Sequence, residues 1–74
     1  MDSLTAAFAE ILREERLASG YSQEALAHAA GVHRTYVGLI ERGLRNPTLE
    51  VSQALAGALD TDLSRLIRLA EKRL

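Results

Sequence analysis

Apolar residues recur along this chain at helical spacing, and nowhere do they alternate as in a half-buried strand. Leu4, Phe8, Ile11, Leu12 and Leu17 form one stripe, which predicts a first helix from about Leu4 to Ser19, stopped by Gly20. Ser22 fits the N-cap of a second helix whose Ala25, Leu26, Ala29 and Ala30 share a face. Gly31 stands where that helix must stop, and a glycine takes φ > 0 there without steric cost. Val32 returns to the core, a third short helix carries Val37 and Ile40 inward, and Gly43 ends it. Leu44 to Pro47 reads as a loop, because the residue before a proline is pushed out of the α region. Thr48 caps a fourth helix running to about Leu59, with Leu49, Leu55, Ala56 and Leu59 inward. Asp60-Thr61-Asp62 interrupts the pattern and offers caps for a fifth helix, Leu63 to about Arg73. No internal repeat, linker or low-complexity segment breaks residues 1–74, so the pattern predicts one all-α domain of five helices.

Ser22 to Gly43 is the most informative stretch: two short helices joined by a tight turn, the unit that sets one helix in the DNA major groove. Its second helix turns Arg34, Thr35, Gly38 and Leu39 away from the core. A glycine inside a helix costs about 1 kcal/mol relative to alanine. The plain reading is a poorly formed helix in a small bundle. The sharper one is a face kept slim and polar so that another molecule can come close.

The same stretch resembles the lambda-repressor-like (Xre/Cro) helix-turn-helix family. The matching residues are Ser22-Gln23, Leu26-Ala27, Ala30-Gly31-Val32, Val37 and Ile40-Glu41-Arg42-Gly43, extended by Asn46-Pro47-Thr48-Leu49. The flanking helices fall where the family has them, so the likeness covers nearly the whole chain and implies the five-helix lambda-repressor-like fold, with the motif in helices two and three. Chain length and Arg34-Thr35-Tyr36-Val37 are similar to the small controller proteins of restriction–modification systems.

Charge and composition qualify this picture. A DNA-binding domain is expected to be basic, yet the 74 residues carry a formal net charge of −1. The distribution is uneven. Residues 1–31 hold two arginines against five acids, whereas residues 32–47 hold Arg34, Arg42 and Arg45 against Glu41 alone. Such a local patch can contact phosphates on a slightly acidic chain. There is no cysteine, hence no disulfide framework or thiolate metal site. His28 and His33 stand five apart without an acidic or thiol partner at ligand spacing, so no metal is expected. No apolar run reaches the roughly 20 residues of a membrane span, and no signal peptide is visible, which makes the cytoplasm the expected location. No nucleophile–His–acid grouping or glycine-rich phosphate loop points to an enzyme, a cofactor or a small-molecule ligand.

The site expectations follow. An arginine opening a recognition helix can bond guanine O6 and N7 together, which makes Arg34 the first candidate for base readout. The resemblance adds Thr35 and Leu39 as base-contacting positions, although Leu39 offers apolar contact where many relatives carry a polar residue. Backbone or mixed DNA contacts are expected from Ser22 (also a cap), Gln23, His33, Tyr36, Arg42, Arg45 and Asn46; Tyr36 either bonds a phosphate or packs at the helix edge. The resemblance also pairs Arg16 with Glu41 as an ion pair between helices one and three. Leu63, Leu66, Ile67, Leu69 and Ala70 make a broader apolar stripe than a terminal helix needs, and are assigned to a two-fold homodimer interface. The implied function is a sequence-specific regulator binding double-stranded DNA as a homodimer, with two dimers together on one operator as a further arrangement. The alternative is an antitoxin-like protein–protein module working through its Leu39 and Leu69 faces.

Overall fold

The structure, a computed structural model, describes residues 3–74. Asp2, counted above among the acids, lies outside the described residues. The elements are α1 (Ser3–Ala18), α2 (Gln23–Ala30), α3 (Arg34–Glu41), α4 (Leu49–Ala58) and α5 (Leu63–Glu71), with no strand among the described residues. Caps explain most of the boundaries. Ser22 Oγ accepts from the Ala25 N–H at 3.0 Å, and Thr48 Oγ1 accepts from the Val51 N–H at 3.0 Å. Asp62 occupies the N-cap position of α5 without a side-chain cap bond. α4 is closed by Asp60 in the left-handed region (φ 58), a conformation that aspartate tolerates better than most residues with a Cβ.

One core joins all five helices. Phe8, Ile11 and Leu12 of α1 meet Leu26 and Ala27 of α2, Val37 and Ile40 of α3, Leu55 and Ala56 of α4, and Leu66 and Ala70 of α5. The first and last helices pack together, and α2 lies against both α3 and α4. Four apolar positions depart from the pattern. Ala25 and Ala29 are exposed and Ala27 is buried instead, because α2 wedges between two helices and its buried line is centred on Leu26–Ala27. Leu17 is exposed, since the inward position at the end of α1 belongs to Arg16. Leu49, the first residue of α4, is 79% exposed because the capped end projects beyond the core. Ser52 shows the reverse. It is buried, and its hydroxyl donates to the Thr48 carbonyl at 2.8 Å, so no external polar partner is needed.

Arg65 of α5 and Arg73, two residues beyond its end, fasten the last helix to α1. Arg73 donates to both carboxylate oxygens of Glu14 (2.7 Å each) and to Glu10 (3.1 Å), and Arg65 pairs with Glu15. The hydrogen bonds from Arg73 hold the Glu14 carboxyl below the usual carboxylate range. In so exposed a pair the contribution to stability is small and screened by salt; it is present above the ordinary carboxylate range and is lost as the pH falls through the lower folded value.

This arrangement corrects the expected dimer interface. Leu66 and Ala70 are completely buried in the chain's own core and cannot meet a second copy. Leu69, like Leu63 and Ile67, is half-buried and packs in part against the core. Leu63 and Ile67 stand four apart on one flank of the helix.

Candidate nucleic-acid interface

The turn between α2 and α3 is built from backbone bonds. Gly31 takes φ 72, its N–H returns to the His28 carbonyl, and the Val32 N–H reaches the Ala27 carbonyl at 2.9 Å. His33 then caps α3: its Nδ1 accepts from the Thr35 N–H at 3.1 Å. Its ring therefore closes the helix end in the free protein, a role not among its sequence expectations.

A buried network fixes α3 against the other helices. Arg16 Nε donates to Glu41 Oε2 at 2.6 Å and Arg16 Nη2 to Glu41 Oε1 at 3.0 Å, while Arg16 Nη1 donates to the Tyr21 carbonyl at 2.8 Å. The two side chains are only 8% and 2% exposed. Gln23 Nε2 donates to Glu41 Oε1 at 3.0 Å, so the glutamine expected on a phosphate also ties the start of α2 to α3. An amide carries two N–H groups, and Gln23 thus keeps a second donor.

Arg34, Thr35, Gly38 and Arg42 share one side of α3 and, with Gln23 and Glu24 of α2, line an open cleft of about 410 Å³. Arg34 and Thr35 are exposed at the leading end of the helix. Arg34 Nη1 donates to Glu24 Oε2 at 2.7 Å, a pairing with no counterpart in the sequence expectations. Arg42 is exposed and makes no ion pair among the described residues. Leu39 lies beside Thr35, half-buried and outside the cleft lining. Tyr36 packs against the core and carries the Arg45 guanidinium 5.3 Å from its ring centroid, a cation–π contact that orders the loop after α3. Asn46 is exposed in the same loop, and Ser22 serves as the α2 cap.

Gly38 is not demanded by packing. A Cβ there would meet only Gln23 Oε1, at an ordinary 3.5 Å. Gly38→Ala is therefore expected to stabilise the free protein by about 1 kcal/mol while weakening duplex binding, because the added methyl stands in the cleft. Thermal unfolding and a binding titration check the two opposite signs; a gain or loss in both together would refute the slim-face reading.

The fold and this face define the class: a DNA-binding helix-turn-helix regulator. A helix-turn-helix family model matches residues 12–71, and the chain belongs to that family. It is 46% identical over 59 residues to the control protein C.SmaI of Serratia marcescens, spanning 80% of this chain and 70% of that one. The restriction–modification controller C.AhdI of Aeromonas hydrophila superposes with a TM-score of 0.82 at 47% identity, covering 84% and 94% of the two chains. The controller C.Esp1396I, crystallised as a tetramer with its natural 35 base-pair operator, gives a TM-score of 0.89 at 26% identity, covering 97% and 95%.

Proposed function

We propose that residues 1–74 act as one domain, a homodimeric regulator that lays α3 into successive major grooves of an inverted-repeat operator and controls a restriction–modification system, its own promoter included. The observation that carries this is the face of α3. Arg34 and Thr35 lead it, Gly38 leaves room, and Arg42 follows without an ion pair among the described residues. An arginine so placed can reach guanine O6 and N7, and a cation about two turns on can take a phosphate. Similarity to the operator-bound C.Esp1396I tetramer supports binding by two dimers side by side. The chain works by occupying DNA, without catalysis or cofactor, in the cytoplasm; among the described residues no helix is long and apolar enough to cross a membrane. Selection from a random duplex pool at near-physiological salt tests the reading. The expected product is an inverted repeat with guanine at a fixed place in each half and half-site centres about 34–36 Å apart. A pool that never enriches would overturn it.

Dimerisation is assigned to the half-buried Leu63–Ile67 flank of α5. Ile67→Asp should give a folded monomer in sedimentation, with an unfolding midpoint lowered far less than by a charge at a fully buried position of the same helix. Leu66→Asp, in contrast, puts a charge into the core and should unfold the chain. A dimer that survives Ile67→Asp removes this flank from the interface.

A further inference from the structure

We propose that Glu24 is a specificity-determining positioning residue: it holds Arg34 for a base edge and keeps phosphate away from it. This rests on the DNA-binding reading above. The pair joins the first turn of α2 to the first residue of α3, across the cleft that a duplex would enter. Its side chains are 67% and 70% exposed, and a pair so open to water contributes little to stability. Its effect is on what Arg34 can bind. Glu24 Oε2 takes one N–H of Nη1, the single bond between the two side chains. A guanidinium has five N–H groups in one plane. The Nε and Nη2 side of the fork is left open, and those two donors suit a guanine's O6 and N7.

The carboxylate sorts the acceptors. Guanine is uncharged, so it can bond the open side of the fork while Glu24 stays in place. A phosphate drawn to the same arginine comes up against the Glu24 charge, and the Coulomb gain from Arg34 is largely cancelled. Arg42, on the same face without an ion pair among the described residues, is left to hold the backbone. Within one cleft, therefore, one arginine is reserved for sequence and another serves affinity. The reservation also fits the charge of this chain, since non-specific attraction to DNA is restrained at the residue that reads.

The test measures operator and scrambled-duplex affinities for the full chain and for Glu24→Gln, each across 50–200 mM salt. Glu24→Gln should steepen the salt slope for scrambled duplex by about one per protomer, so that its gain in affinity is roughly fourfold larger per protomer at 50 mM than at 200 mM. Operator affinity should rise less or fall, so the ratio of the two affinities drops. In an Arg34→Ala background the same substitution should leave the ratio unchanged. A ratio unmoved by Glu24→Gln overturns the proposal, and so does an equal drop without Arg34, which would mark a bulk charge effect. If Glu24 merely stabilised α2, both affinities would move together with the unfolding midpoint while their ratio stayed fixed, again overturning it. Failure of the parent chain to prefer any duplex sequence would sink the functional reading itself, an outcome distinct from the others.

Discussion

Glu41→Ala should cost about 3–5 kcal/mol of stability, because it strands the Arg16 guanidinium in the interior. Small domains have about 5–15 kcal/mol in total, so the variant should be largely unfolded under mild denaturant. Glu41 accepts two bonds from Arg16 and one from Gln23, and its removal leaves the guanidinium only the Tyr21 carbonyl. Arg16→Ala should be nearly as damaging, since the carboxylate keeps only the Gln23 amide. The diagnostic variant removes both charges at once. Arg16→Met with Glu41→Leu retains apolar volume and leaves no buried ion, so it should be more stable than either single alanine variant. Urea unfolding midpoints of the four proteins decide the matter. A double variant less stable than both single alanine variants would mean that the pair does not hold α3 against α1 as a unit.

Arg34→Ala should abolish discrimination at one base pair in each half-site. A bidentate arginine–guanine contact is worth about 1–3 kcal/mol, and two-fold symmetry counts it twice. At 1.4 kcal/mol per factor of ten, operator affinity should fall roughly thirtyfold or more, while binding to scrambled duplex changes little. Arg42→Ala should do the opposite, weakening all sequences alike and lowering the salt slope by about one per protomer. Titrations of both variants against operator and scrambled duplex at two salt concentrations separate the roles. Identical behaviour of the two would show that the cleft does not divide its arginines between base and backbone.

The five helices were legible because their ends carry local signals. Ser22, Gly31 and Thr48 act through bonds to residues three or four positions away, which a sequence displays directly. Arg16 and Glu41 were found only through family likeness, since nothing local joins residues 25 apart. Periodicity misled at the margins, where Leu17 keeps the helical rhythm beside an Arg16 that takes the inward position and Leu49 keeps it at an end that projects beyond the core. It misled again on α5, where a wide apolar stripe does not say which part faces the chain's own core; Leu66 and Ala70 do, Leu63 and Ile67 only in part. The cap from His33 was hidden because histidine is not among the strong N-cap residues. The Glu24–Arg34 pair was hidden for a different reason: it depends on the angle at which Gly31 and Val32 set two helices.

That angle is fixed by main-chain bonds, by the buried side of α3 and by the Gln23–Glu41 bond, to which the exposed Arg34, Thr35 and Glu24 add only one solvent-open ion pair. The scaffold and its message are thus written in separate residues. Val37 and Ile40 keep the helix seated, whereas Arg34, Thr35 and their α2 neighbour Glu24 can be exchanged without disturbing a single core contact. A lineage of such proteins can therefore drift from one operator to another through folded intermediates, and a library randomised at these three positions should consist mostly of stable proteins with new addresses on DNA.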